Sequence, residues 1–290
     1  MQKCRLVVNT LSGNAKNLPK IGDVEAFLKE NYDLETVYIS EENDVRIKDL
    51  TDGIDVLAVC GGDGTLNSAV NAVSGKTVDL MYIPCGTLND TAKSMRLAKR
   101  LSKGNRRIRF VDMGLIDETK FAYVLAGGTF TEIGYETKIK TKKHFKMLAY
   151  LMQVFKAYKI HRINAEINLG DRVIKDEFTL IMAINCSRCF GFRFNRRYVH
   201  NDGQAQLLLI KSPRHDGLLG KIEIFFPFFR AFFMGFRKEK DGKNIKFLDF
   251  SDAVITIPEG SPFTVDGEKI VLSGRNELKI LNRNLKLIVY

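Results

Sequence analysis

Ala58-Val59-Cys60-Gly61-Gly62-Asp63-Gly64-Thr65-Leu66-Asn67 is the stretch whose reading decides the fold. An apolar, β-rich run (Val56 to Val59) leads into it, and a helical spacing of Leu66, Ala69, Val70 and Val73 leads out. Glycines between a strand and a helix N-terminus let the backbone approach a phosphate closely. The helix end then supplies free N–H groups and a partial positive charge. An aspartate inside such an anion cradle works through a cation, normally Mg²⁺, or orders the loop. The stretch reads as a nucleotide-phosphate loop. It is not a Walker A loop, and Gly62 and Gly64 lack the third glycine of the dinucleotide fingerprint. A tight turn without a ligand uses the same glycines, so neighbouring motifs must decide.

Outward from the loop, apolar runs alternate with helical patterns. Strands are predicted at Cys4–Asn9, Glu35–Ile39, Val56–Cys60, Leu80–Ile83 and Ile108–Val111. Helices are predicted near Leu18–Asn31, Asp44–Leu50, Leu66–Ser74 and Leu88–Leu97. This alternation argues for a parallel sheet with helices on its faces, whose ligands bind off the C-terminal strand ends. Loops Asn9–Gly13, Gly61–Thr65 and Pro84–Asp90 leave those ends.

After about residue 120 strand patterns dominate: Phe121–Leu125, Ile163–Leu169, Phe178–Asn185, Gln206–Ile210, Ala253–Ile257 and Phe263–Val265. Helices interrupt them around Lys142–Lys159 and Pro227–Gly235. The expected architecture is an α/β part over residues 1–118 and a β-rich, sandwich-like part over 119–277. Terminal strands within 278–290 would return to the first part. Pro227 suits a helix N1 position, and Phe229, Phe232, Phe233 and Phe236 then form one stripe. That stripe fits a packed amphipathic helix or, given Arg230, Arg237 and Lys238, a membrane-interface element.

The chain has 290 residues, 45% hydrophobic and 27% charged, which describes a folded protein with a sizeable core. A net charge of +11 points to anionic partners. Basic residues cluster at Lys99–Arg109, Lys138–Lys146 and Arg237–Lys243. No signal-peptide core or spanning-length apolar run occurs, and five cysteines, an odd number, suit reduced thiols in a cytosol. Cys186-Ser187-Arg188-Cys189 has no second pair, so packing explains it better than zinc.

Two further motifs complete the set. Pro84-Cys85-Gly86-Thr87-Leu88-Asn89-Asp90 follows the fourth strand, and Asp266-Gly267-Glu268 places two carboxylates around a turn glycine. A helix cap and an Asp-Gly hairpin account for them separately. Their order and spacing with Asn9–Gly13 and Gly61–Asn67 nevertheless resemble the diacylglycerol kinase catalytic-domain family, most closely its soluble bacterial lipid-kinase branch. The resemblance spans nearly the whole chain.

It implies two domains with ATP in the cleft and transfer of the γ-phosphate to a lipid hydroxyl, by default diacylglycerol to phosphatidic acid. Glu268 matches the family's general base, Asp266 a residue that places it, and Asp63 the aspartate of the glycine loop. The implied nucleotide positions are Asn9, Thr10, Leu11, Ser12, Gly13, Ser40, Gly62, Gly64, Thr65, Leu66, Asn67, Ser68, Thr87 and Asn89. Asp90 and Asp112 match acidic partners that arrange Mg²⁺ and phosphates. Asp202, with carbonyls near Val199 and Gln204, matches a turn that binds a structural Mg²⁺; His215–Leu219 lies too far downstream for that role.

The implied setting is cytoplasmic, at an anionic membrane's inner face, with no nucleic-acid partner and room for a homodimer. Departures from the family pattern are Thr10 for a proline, Ser68 for a glutamate, and Phe190-Gly191-Phe192-Arg193 for a glycine-rich turn. Competing readings are a NAD kinase-like enzyme sharing Gly61–Thr65, and a nucleotide- or lipid-binding protein without catalysis.

Overall fold

Strand β3 (Val56–Gly61) is buried at every residue, which requires cover on both faces. It pairs in parallel with β1 (Lys3–Asn9) and with β4 (Asp79–Pro84), and β1 pairs in parallel with the half-exposed edge strand β2 (Asp33–Ile39). The period of two sorts the side chains. Leu57, Val59, Leu80 and Tyr82 face helix α2 (Asp63–Val73) through Leu66, Ala69, Val70 and Val73. Val56, Ala58, Cys60, Met81 and Ile83 face helix α1 (Ile21–Lys29) through Val24 and Leu28. The computed structural model describes residues 1–12, 21–41, 45–97, 106–129, 159–189 and 191–290.

From β5 (Arg107–Ile116) onward the pairing turns antiparallel. β6 (Thr119–Phe121) folds back on β5, and β7 (Val124–Gly128) pairs with β9 (Val173–Ile184). β8 (Ile163–Asn168), β10 (Ala205–Lys211), β11 (Lys240–Asp241) and β12 (Ile245–Phe250) extend this β-rich region. The two runs at Ala253–Ile257 and Phe263–Val265 form one strand, β13 (Asp252–Val265), kinked by a register shift between Ile257 and Ser261.

The last two predicted strands are likewise one, β14 (Glu268–Val289). It pairs with β13, then antiparallel with β5 and in parallel with β4 through Leu287 and Ile288. A register shift between Leu281 and Leu285 lets it change partners. Bulges of this kind bend a strand without ending it, which alternation alone does not reveal.

Three helical expectations need correcting. The Leu88–Leu97 pattern yields only α3 (Asp90–Ser94), because Asn89 before it sits at φ 48° and Arg96 after it at φ 53°. The Asp44–Leu50 pattern yields a 3₁₀ turn at Ile47–Leu50. The phenylalanine helix begins ten residues before Pro227, as α4 (Gly217–Phe229), so Pro227 is internal rather than at N1. Having no N–H, Pro227 cannot donate to the carbonyl four residues back. The helix then widens into a π turn over Arg230–Met234 and stops at Gly235.

The phenylalanines therefore divide instead of forming one stripe. Phe236, beyond the helix, is buried and stacks on Phe247 at 4.2 Å, whereas Phe229 and Phe233 are exposed. Ile224 and Phe228 pack α4 onto Leu180, Met182, Leu208 and Ile210 of the β-rich region. The predicted residues 18–20, 142–158 and Phe190, and the basic clusters at 99–103 and 138–146, lie outside the described residues.

Gly235 has φ 68° and ψ −173°, a backbone region that L side chains avoid, and a Cβ there would stand 2.5 Å from the Phe194 carbonyl oxygen. Gly235→Ala is expected to destabilise the fold by roughly 2–4 kcal/mol, combining strain and overpacking. Urea unfolding followed by circular dichroism measures this; an unchanged midpoint would contradict the steric argument.

Candidate active site

β1 ends in an Asx turn: Asn9 Oδ1 accepts the Leu11 N–H at 3.0 Å, and the Ser12 N–H donates to the Asn9 carbonyl at 3.2 Å. The turn aims both side chains at the glycine loop. Asn9 Nδ2 donates to Thr65 Oγ1 at 3.0 Å, Ser12 Oγ lies 3.2 Å from the same hydroxyl, and the Gly62 N–H donates to Ser12 Oγ at 3.0 Å. Thr65 fills the space a Cβ on Gly61 would need, 2.3 Å away. A Cβ on Gly86 would lie 2.5 Å from Gly62 Cα, so the loops after β3 and β4 meet backbone to backbone. The Cys85 and Gly86 N–H groups both donate to the Gly61 carbonyl, at 2.9 and 3.2 Å.

Leu11, Gly64 and Thr87 are exposed, leaving the first turn of α2 open on one side. There its N-terminal N–H groups and dipole favour an anion. Leu66 and Asn67 are buried, and Asn67 Oδ1 accepts from Asn71 at 3.0 Å. Ser68, the departure from glutamate, turns its hydroxyl back to the Gly64 carbonyl at 3.2 Å. Thr10, the departure from proline, donates to the Ile39 carbonyl at 2.8 Å, close to Ser40 after β2. Asn89 donates to the Gly86 carbonyl at 2.7 Å. Gly13 lies outside the described residues.

A chain of carboxylates and peptide donors then links the distant motifs. Asp63 caps α3, its two oxygens accepting the Asp90 and Thr91 N–H groups at 3.0 and 2.9 Å. Burial pushes the Asp63 carboxyl up from its usual range, the two amides pull it down, and the Asp90 charge adds to the rise. Asp90 is wholly buried and accepts from the Tyr123 hydroxyl at 3.2 Å and the Gly191 N–H at 2.7 Å. Arg188 Nε stands 3.4 Å from its other oxygen. Burial holds the Tyr123 phenol well above its ordinary value, so it remains a donor.

Tyr123 also connects to the last motif. Asp266 accepts the N–H groups of Ala122, Tyr123 and Val124 at 2.8, 3.0 and 2.7 Å. Those bonds hold Asp266 at φ 50° in the hairpin turn between β13 and β14. Glu268, first residue of β14, follows on the exposed side of the turn. Asp63 lies near enough to raise the Asp266 carboxyl by its charge, which brings the turn and the glycine loop together.

Two predicted residues group elsewhere. Asp112, wholly buried on β5, accepts the Gly203 and Arg283 N–H groups, each at 2.6 Å. It clamps the His200–Gly203 turn to the β14 bulge, with both oxygens occupied by peptides. Asp202, exposed on that turn, accepts the Gln204 N–H at 3.1 Å, and Val199 is exposed beside it. Partial withdrawal of the carboxyl from water, and the Asp112 charge, raise Asp202 from its usual range. His215 pairs with Glu223 Oε1 at 2.5 Å near the start of α4, apart from this turn.

Tyr123, Arg188 and Gly191 were not legible as site residues. Arg188 sits inside the Cys-x-x-Cys segment, whose buried cysteines draw the eye, and only its approach to Asp90 reveals its place. Among the described residues no three His, Cys, Asp or Glu side chains form a metal cage.

Residues 3–120 match the profile of the diacylglycerol kinase catalytic domain. A diacylglycerol kinase of Staphylococcus saprophyticus is 26% identical over 203 residues, 66% of this chain and 67% of that protein. A diacylglycerol kinase of Bacillus subtilis is 24% identical over 234 residues, 73% of this chain and 75% of its own length. Other staphylococcal diacylglycerol kinases match over 62% to 66% of their length, so the similarity spans about two thirds of these relatives. The crystal structure of a diacylglycerol kinase from Bacillus anthracis covers all of this chain and 97% of its own, at TM-score 0.69 and 18% identity. A second crystal structure from that organism superposes at TM-score 0.76 with 19% identity and the same coverage, so the fold is shared.

Burial pushes the Asp266 carboxyl up to about 7, against its three peptide donors. An unfolded aspartate titrates near 3.9. Between those values the native protein keeps a proton that the unfolded chain has released, so this group makes stability fall as pH rises from about 4 to about 7. Urea titrations across that window measure the slope. Asp266→Asn, uncharged at every pH, is expected to lack this share; an unaltered slope would show that Asp266 ionises like an exposed carboxyl.

Proposed function

We propose that the chain is a member of the diacylglycerol kinase catalytic-domain family, whose profile residues 3–120 match, and that it is a lipid kinase phosphorylating diacylglycerol to phosphatidic acid with ATP. One observation carries the reading. The glycine loop, the Pro84–Asp90 loop and the Asp266–Glu268 turn, far apart in sequence, are joined by one run of contacts through Asp63, Asp90, Tyr123 and Asp266. A phosphate-binding helix end and an exposed carboxylate at a fixed turn are what phosphoryl transfer to an alcohol needs.

In this reading residues 1–118, completed by 278–290, hold the nucleotide, residues 119–277 hold the lipid, and ATP lies in the cleft between them. The Asn9–Gly13 turn, Gly62–Ser68, Ser40, Thr87 and Asn89 surround the nucleotide, and the α2 N–H groups receive its phosphates. Glu268 takes the proton of the lipid hydroxyl as its oxygen attacks the γ-phosphorus. Asp266 fixes the turn that presents Glu268, and Asp63 holds the two loops in register. Mg²⁺, when bound with ATP, neutralises phosphate charge. Among the described residues no preformed cage stands ready, and Asp63 and Asp90 are the carboxylates that would hold it beside their peptide donors. Asp202 with the carbonyls of Val199 and Gln204 offers the donor set of a structural Mg²⁺, and Asp112 braces that turn.

The acceptor is presented by the inner face of an anionic membrane, which the +11 charge suits. No helix among the described residues is long and apolar enough to cross a membrane.

Transfer of labelled γ-phosphate from Mg²⁺·ATP into mixed micelles of diacylglycerol, another lipid alcohol or a sphingoid base tests the reaction and its acceptor. Glu268→Gln is expected to lower kcat by about 10²–10⁴-fold, the usual share of a general base, while ATP affinity is kept. Asp63→Asn should weaken ATP binding as well, because it replaces an acceptor of two peptide N–H groups with a part-donor. Full turnover by Glu268→Gln, or no labelled lipid from any micelle, would overturn the assignment.

A further inference from the structure

Helix α4 is apolar on both sides. Gly220, Ile224 and Phe228 face the core, as does Ala231 beyond it, while Leu218, Leu219, Ile222 and Phe226 are 74%, 62%, 52% and 68% exposed. Phe229, Phe233 and Met234 continue the exposed side into the π turn. Single exposed apolar residues are ordinary; seven along one helix and its extension form a patch of the kind that marks an interaction surface.

Beside this face lies a cavity of about 320 Å³, lined by Lys211, Ser212, Arg214, Glu223, Pro227 and Lys243. Ser212 Oγ is buried and has no hydrogen-bond partner among the described residues, an arrangement costly unless a ligand or water supplies one. Arg214 and Lys243 are exposed and make no ion pair among the described residues, nor do Arg237 and Lys238 just beyond the π turn. The nearby acids are already engaged. Lys211 shares Asp176 at 2.5 Å, Asp216 pairs with Arg162 at 2.9 Å, and Glu223 accepts the Arg214 N–H at 2.6 Å as well as pairing with His215. A peptide N–H leaves the Glu223 charge in place, but Arg214, Lys243, Arg237 and Lys238 outnumber it, so the net charge around the patch is positive.

We propose that α4 docks on an anionic phospholipid bilayer, its exposed apolar side entering the acyl boundary while the Ser212–Arg214–Lys243 cavity receives a lipid phosphate. Too short to span, an apolar helix rimmed by lysine and arginine lies in the interface plane, held by apolar burial and headgroup attraction together. A second protein copy would satisfy the apolar side but would bring the same positive rim against itself. The proposal deepens the lipid-kinase reading, which supplies the membrane-resident substrate; α4 would hold the enzyme where that substrate resides.

The test uses the full chain and vesicles of phosphatidylcholine with or without about 30% phosphatidylglycerol, a composition in the range of anionic membranes. The chain contains no tryptophan, so Phe226→Trp supplies a single reporter. Its emission is expected to shift to the blue on anionic vesicles, and much less on neutral ones or at high salt. Leu219→Ser combined with Phe226→Ser should weaken flotation with anionic vesicles at least about tenfold, from the lost apolar burial. Arg214→Glu with Lys243→Glu should abolish the preference for anionic lipid. Turnover of short-chain diacylglycerol dispersed as monomers should survive all three changes.

Unaltered vesicle binding by both double variants would overturn the proposal. So would a wild-type dimer that Leu219→Ser with Phe226→Ser dissociates, since the patch would then belong to a second copy. Vesicle binding that tracks α4, together with no turnover of monomeric lipid, would instead defeat the kinase reading and leave the docking surface standing.

Discussion

Four aspartates that accept peptide N–H groups hold this molecule's working parts in place. Asp63, Asp90, Asp112 and Asp266 each take such donors from segments 27, 101, 171 and 144 residues away in sequence. A hydrogen bond to a charged group contributes about 1.5–3 kcal/mol, and a carboxylate withdrawn from water without partners would cost more than that. Each aspartate therefore specifies which loop it must meet. Three of the four converge where the glycine loop faces the Asp266–Glu268 turn. The site's geometry follows from satisfying those carboxylates more than from any one strand or helix.

Strand β14 completes the constraint mechanically. It begins at Glu268, in the turn fixed by Asp266, and ends paired with β4, whose C-terminal loop carries Gly86 and Asp90. The proposed base and the parallel sheet that carries the glycine loop are thus parts of one hydrogen-bonded ladder. The bulge at Leu281–Leu285 allows it, and Asp112 secures that bulge through the Arg283 N–H. Glycine works at shorter range: the close approach of Gly62 and Gly86 requires that Gly86 carry no Cβ, which would stand 2.5 Å from Gly62 Cα. Close packing sets the distance between loops, and the aspartates set their identity.

Much of the fold was legible because burial imposes periodicity. The six residues of β3 are all apolar or glycine in a strand covered on both faces, and Leu66, Ala69, Val70 and Val73 mark the helix that covers one of them. Where the reading failed, the reason is local. Pro227 resembled a helix start because proline is favoured there, yet tertiary packing of Ile224 and Phe228 carries the helix through it and leaves a π turn behind. The paired runs at Ala253–Val265 and Leu278–Val289 looked like separate strands because a bulge interrupts alternation without interrupting pairing. The phenylalanine stripe dissolved for a related reason: Gly235 reverses the chain, so Phe236 turns inward while Phe233 stays outside.

For the site, the division is equally physical. Asp63, Asp90, Asp266 and Glu268 lie in glycine-marked turns, and turn chemistry is a local property that a sequence displays. Tyr123, Arg188 and Gly191 have no such mark, because their importance comes from side chains and amides reached across 33 to 101 residues. Asp112 was visible as an acid, but its task of bracing the Asp202 turn against β14 was not. The sequence alone determined where the glycine-marked turns lie and which carboxylates are available, since backbone freedom and charge are written residue by residue. Only the tertiary structure decided which carboxylate meets which loop and which side of α4 remains outside, because long-range burial and hydrogen bonding are satisfied once, by the whole chain together.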